Sequence, residues 1–265
     1  SHKNIAPEIR ADAKAVYEGA IEFSKGNYSE LKEGGYFFYY PHQLGLVLYN
    51  SLINLISQEI RLHFVANYIV LLLLYISTWK CTEYMFWGNE IIIKLTIIVM
   101  FLFYPALFFV PFLYGHIPGF LCIMGAVTLF VRKERGIGKC NDIGINILLI
   151  LACTIRNNYM IAAVAIAILY ILYAIRTRTW RFVAVAAIII MTFSIGGNIA
   201  KDYYQERSGI EVNEGIPKIL WIAMGLQEDE TSDDCMGGWY TGLTKEIYSD
   251  AKYDEEVAFD IGKEE

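Results

Sequence analysis

Arg156-Asn157-Asn158 interrupts an otherwise apolar stretch that runs from about residue 143 to residue 175. A guanidinium at membrane depth costs about 2.5–3.5 kcal/mol on insertion scales and marks a functional site by default. Its fork of N–H donors matches phosphate oxygens, so Arg156 is a candidate anion ligand. The plainer reading is a helix break whose arginine snorkels to headgroups. A second polar pair, His42-Gln43, follows Pro41 directly at the head of another apolar run. Proline suits a first helical turn, which places His42 and Gln43 where they can hydrogen-bond a ligand at the interface or simply wet the helix start. Asp12 precedes an amphipathic segment, and on residue chemistry alone a carboxylate there is a cap or dipole partner. Near the other end, Gly237-Gly238-Trp239-Tyr240 offers rings among glycines. Trp239 and Tyr240 suit sugar stacking and equally suit an interfacial anchor.

The motifs that are missing narrow the chemistry. There is no G-x-x-x-x-G-K-[ST] phosphate loop, no HExxH, no paired Cys/His metal spacing and no G-x-S-x-G elbow. No metal or cofactor is therefore implied. The cysteines are scattered without a CxxC, and they read as small apolar packers, with a Cys81–Cys235 pairing left open. No Lys/Arg run or basic stripe occurs, so nucleic acid is not an expected partner.

These residues need elements to position them, and the composition says what kind. Of 265 residues, 55% are hydrophobic and only 19% charged. The charges gather toward the two ends, and apolar blocks separated by short polar joints fill the middle. A hydrocarbon core of roughly 30 Å needs about 20 apolar residues per helix. Spans are expected over about 43–57, 62–79, 91 onward through Pro105 and Pro111, 117–131, 143–175 with its break, and 180–199. The expected fold class is all-α, a polytopic transmembrane helical bundle with amphipathic external helices. Residues 1–42 form an external loop, 43–199 a region of about six spans, and 200–265 an external acidic segment. Within 1–42, Val16, Ala20 and Phe23 share a helical face, and Lys25-Gly26-Asn27 supplies the stop. Because the sequence starts at Ser1 and stops in a charged stretch at Glu265, it is expected to be an internal fragment of a longer protein.

Lys and Arg bias orients the bundle. The joint with Arg176, Arg178 and Arg181 is purely basic and is expected on the cytoplasmic side. The segment from Lys201 onward carries six Lys/Arg against seventeen Asp/Glu, as an outer segment can. The joint at 132–139 is also basic. Both joints fit one side only if 143–175 folds as two helices broken near Arg156. One long helix with a local exception is the alternative.

The order of these features resembles the GT-C superfamily of polytopic glycosyltransferases, in the branch of protein mannosyltransferases and aminoarabinose transferases. The resemblance rests on Gly26-Asn27-Tyr28-Ser29, Gly35-Tyr36, Tyr40-Pro41-His42-Gln43-Leu44-Gly45, Tyr114-Gly115-His116-Ile117-Pro118, Arg156-Asn157 and the Trp221–Gly225 and Gly238–Tyr240 segments. It implies a sugar donor linked to polyprenyl phosphate, an acceptor hydroxyl or amine of unspecified identity, and work on the outer face of a bacterial plasma membrane. It implies Asp12 as the catalytic base, although Ala13 stands where related enzymes often have a second acid. Arg156, with His42 or Gln43, would hold the lipid phosphate, and Trp239 and Tyr240 would contact sugar or acceptor. Membrane lipids are the remaining expected partners, and a fragment lacking the family's other spans is expected to be inactive alone. A transporter or flippase, with broken helices lining a path, is the competing expectation.

Overall fold

The computed structural model describes residue 9 and residues 11–138, 141–226 and 242–264, with the side chains of residues 193, 194 and 264 outside that description. Among the described residues all regular structure is helical. In chain order the helices are α1 (Ala11–Ser24), α2 (Tyr36–Tyr39), α3 (Leu44–Asn54), α4 (Ile60–Met85), α5 (Glu90–Leu102), α6 (Pro105–Phe108) and α7 (His116–Glu134). They are followed by α8 (Asn141–Ile155), α9 (Met160–Thr177), α10 (Arg181–Ser208), α11 (Lys218–Leu226), α12 (Leu243–Asp250) and α13 (Glu255–Glu264). The chain divides into a larger unit, residues 1–28 with 42–209, and a smaller one, residues 29–41 with 210–265. The expected 1–42 loop is thus split, and α1 belongs with the membrane bundle.

Among the described residues four helices are long and apolar enough to cross a bilayer: α4, α7, α9 with the turn before it, and α10. α8 is apolar but shorter, and it packs between α7 and α10. Its Ile145 and Leu149 sit fully buried with Ala163, Tyr170 and Ile189. The outward faces carry side chains that water would not tolerate in such number, including Ile91 at 70% exposure and Ile161 at 73%. Lipid is the solvent that suits them.

Polar contacts fix the directions of the helices. At one end Lys133, from the foot of α7, pairs with Asp142 at the start of α8, and Tyr170 donates to the same carboxylate at 2.6 Å. Arg181 at the start of α10 reaches Asp142 at 3.5 Å. Arg135 donates to the carbonyls of Tyr84 and Met85, which brings the foot of α4 to this end too. Both basic joints therefore share one end of the bundle. They do so because 143–175 is two helices: α8 stops at Ile155, Arg156 turns extended, and α9 starts back after a single 3-10 turn.

The expected first span behaves differently. As a helix, α3 has eleven residues, which reach roughly 17 Å and fall short of a hydrocarbon core. It lies at the end opposite the basic joints. Gly45 meets the last turn of α8, Ser51 pairs with Tyr204 near the end of α10 at 3.2 Å, and Asn50 and Asn54 contact the ring of His63 in the first turn of α4. α1 covers it through Ala13, Val16 and Ala20, all fully buried, and Gly26 ends α1 at φ +82° as expected. The third expected span is interrupted: α5 stops before Pro105, and α6 with the loop to Gly115 carries the chain on. Asn67 of α4 ties this segment down by donating to the carbonyl of Val110 at 2.9 Å. Cys81 is a buried free thiol, and Cys235 lies outside the described residues.

Close helix approach makes an opposed pair of predictions at neighbouring glycines. A Cβ on Gly196 would lie 2.8 Å from the Cβ of Cys153 and 3.1 Å from the carbonyl oxygen of Ile150, whereas Gly197 meets only an amide oxygen at 3.9 Å. Gly196→Ala is expected to destabilise by about 1–3 kcal/mol, while Gly197→Ala stabilises by about 0.5–1 kcal/mol through helix propensity. Thermal unfolding of the two variants in detergent should move in opposite directions.

In the smaller unit, rings from 36–40 pack on α11 and α12. Tyr39 and Tyr253 share a hydroxyl contact at 3.4 Å, and the backbone N–H of Ile216 donates to the Tyr39 carbonyl at 3.2 Å. Gly215 is tied into this cluster, since any Cβ there would lie 2.6 Å from the ring of Pro41.

Candidate functional site

At the end of the bundle away from the basic joints, four helix termini of the larger unit bring polar groups onto Tyr114. α1 supplies Asp12 from its first turn, and Oδ2 of Asp12 accepts from the Tyr114 hydroxyl at 2.9 Å. The 3-10 turn before α3 supplies Gln43, whose Nε2 donates to the same hydroxyl at 2.6 Å. The break between α8 and α9 supplies Arg156, which stacks its guanidinium 4.3 Å from the centre of the Tyr114 ring and donates to the Tyr114 carbonyl at 3.2 Å. Two residues on, at the start of α7, His116 faces the same guanidinium, with Nη1 to Nε2 at 2.8 Å. A guanidinium only donates, so Nε2 accepts and His116 is neutral in this arrangement.

Local sequence explains why these groups meet. Gly115 sits at φ +75°, a conformation that lets the chain turn sharply into α7, and a Cβ there would lie 2.9 Å from Ile155 and 3.2 Å from the Arg156 side chain. Tyr159 donates to the His116 carbonyl at 2.7 Å and locks the α8–α9 break to the head of α7. Gly119 makes room for it, because an added Cβ would lie 2.0 Å from the Tyr159 ring.

The electrostatics are those of a polarised pair. Burial and the neighbouring Asp12 carboxylate push the Tyr114 hydroxyl up to about 12, so the phenol stays protonated and donates to Asp12. His42 is held below its ordinary value by lost hydration and by the Arg156 charge, with Asp12 pulling the other way. Asp12 is exposed, Gln43 is 5% exposed and Arg156 is half-buried. Among the described residues Arg156 makes no ion pair, and the second oxygen of Asp12 takes no hydrogen bond. Among the described residues, then, a guanidinium with no ion pair faces a carboxylate with spare acceptor capacity across one tyrosine.

Behind His116 and Tyr159 opens an apolar cavity of about 350 Å³ between α4, α5, α6 and α7, walled by Leu71, Leu74, Tyr75, Phe103, Phe109 and Phe120. That volume lies within the range of small-ligand sites.

Asp12, Gln43 and Arg156 thus converge, and His42 lies within the influence of both charges. Trp239 and Tyr240 lie outside the described residues. Reasoning from sequence gave no role to Tyr114, His116 or Tyr159. The one signal available was Tyr114-Gly115-His116-Ile117-Pro118, where a polar pair flanks a glycine just before an apolar helix. Among the described residues no cluster of His, Cys, Asp and Glu has the arrangement of a metal site.

The helical bundle, its lipid-suited surface and its polar end define a polytopic integral membrane protein. The chain belongs to the family described as conserved hypothetical integral membrane proteins, whose pattern matches residues 3–256. No curated protein and no solved structure matches it.

Proposed function

We propose that this protein is a membrane glycosyltransferase that moves a sugar from a polyprenyl-phosphate donor to an acceptor hydroxyl or amine. The observation that carries the reading is the convergence on Tyr114 of Asp12 and of Arg156, which has no ion pair among the described residues, beside an apolar cavity. In this reading Arg156 binds the donor phosphate by charge-assisted hydrogen bonds, with His42 and Gln43 at its side. The apolar cavity beside His116 takes the first isoprene units. Asp12 accepts the proton of the acceptor as its oxygen or nitrogen bonds to the anomeric carbon. The bond from that carbon to the phosphate oxygen breaks, and its electron pair leaves on the phosphate that Arg156 holds. A single displacement of this kind inverts the anomeric centre. The leaving group is already good, so the protein needs only base, cation and dry geometry.

The side of the membrane follows from charge. With both basic joints at one end, the Lys/Arg rule assigns that end to the cytoplasm and the Asp12 end to the outer face. If α5 and α8 are counted as crossings beside the four long apolar helices and α3 is not, this reading has six crossings and both flanking segments outside. For Trp239 and Tyr240 the role in this reading is the one the resemblance implies, contact with sugar or acceptor.

The test is transfer of radiolabelled sugar from a polyprenyl-phosphate donor by membranes holding the full-length protein. Label moving into a product with an inverted anomeric centre supports the reading. Donor that reaches the other leaflet unchanged, with no covalent product, replaces it with a flippase.

A further inference from the structure

At the basic end of the bundle, the turn between α9 and α10 holds Arg178 at φ +52°. A left-handed helix cap is a place for glycine or asparagine, and a long side chain there sacrifices stability. Arg178 is exposed and makes no ion pair among the described residues. The acids near this turn are engaged elsewhere: Asp142 is shared by Lys133, Tyr170 and Arg181, and Glu134 faces Arg176 and Tyr173. Arg178 itself lines a cavity of about 380 Å³ between α9 and α10, together with Ala174, Ile175, Thr179, Trp180 and Val183. Trp180 is 84% exposed at its rim, a position that suits the boundary between headgroups and acyl chains.

We infer that this groove binds one anionic phospholipid, with its phosphodiester on Arg178 and an acyl chain against Ala174, Ile175 and Val183. Charge decides the class of occupant. The turn carries Arg176, Arg178 and Arg181 with no acid among them, so a zwitterionic lipid gains less from it than an anionic one. The site is separate from Tyr114 and stands whether or not the protein transfers sugar.

The experiment is native mass spectrometry of the full chain in mild detergent, titrated with phosphatidylglycerol and, separately, with phosphatidylcholine. Wild type is expected to retain one phosphatidylglycerol in preference to phosphatidylcholine. R178G removes the charge and relieves the left-handed strain, so it should be at least as heat-stable and hold that lipid about tenfold more weakly. R178K should keep most of the binding. V183W keeps every charge but fills the groove, and it should lose the lipid as well. Retention of phosphatidylglycerol by R178G or V183W at the wild-type level overturns the inference, as does equal retention of the two lipids.

Discussion

Asp12→Asn in the full-length protein is expected to lower sugar transfer by about 10²–10⁴-fold, the usual contribution of a general base, with little change in expression or thermal stability. The side chain is exposed, and an asparagine keeps an oxygen that can accept from the Tyr114 hydroxyl, so the local geometry survives. Only the capacity to take a proton is lost. A competing role is plain electrostatic support of α1, since Asp12 lies in its first turn near the positive end of the helix dipole. That role predicts a small stability loss and wild-type transfer, the result that would remove Asp12 from the chemistry. Tyr114→Phe separates positioning from catalysis. It deletes the hydrogen bond donated to Asp12 and the one accepted from Gln43 but leaves the ring under Arg156, and it should cost only about three- to tenfold, because base and cation both remain and only the orientation of Asp12 is loosened.

Parts of this arrangement are legible from sequence, and for physical reasons. Arg156-Asn157-Asn158 marks the place for a break, because three polar residues fit poorly in an apolar helix across lipid, with one long helix the alternative that sequence left open. Once 143–175 is two helices, the basic joint at 132–139 and the one around Arg178 fall at one end, and the charge rule has no exception to explain. Gly26 is equally readable, since a left-handed stop asks for glycine.

Tyr114 was hidden because its partners lie 102 and 71 residues away, in a chain with 19 tyrosines. Only the run Tyr114-Gly115-His116-Ile117-Pro118 sets it apart from an interfacial ring. The fate of α3 was hidden for a related reason. Its composition is that of a short span, and what lays it across the bundle is the small face Ala13, Val16 and Ala20 of a helix that ends well before it begins. Apolar surface covered by protein and apolar surface covered by lipid read alike in one dimension. Contacts that decide between them are tertiary.

Gly45 is where that tertiary choice is most exposed to test. A Cβ on Gly45 would stand 1.5 Å from the backbone carbonyl oxygen of Thr154, in the last turn of α8. No rotamer change relieves a clash with backbone, so α3 must lift away from α8 as a unit. Overpacking a core usually costs about 1–3 kcal/mol, and a backbone clash belongs at or above the top of that range. Gly45→Ala is therefore expected to lower stability by about 3 kcal/mol, and Gly45→Val to prevent accumulation of folded protein. Gly144→Ala is the matched control: its Cβ meets only the mobile tip of Leu129 at 2.7 Å, and a small effect is expected. The clash at Gly45 also reaches the site. Gln43 sits two residues before it and holds the Tyr114 hydroxyl, so lifting α3 withdraws one of the two groups that orient that phenol toward Asp12. Residual folded Gly45→Ala protein should then show a transfer defect like that of Tyr114→Phe, whereas Gly144→Ala should not. If Gly45→Ala is as stable as wild type, α3 does not pack against α8, and the platform that presents Gln43 to Tyr114 is not the one described.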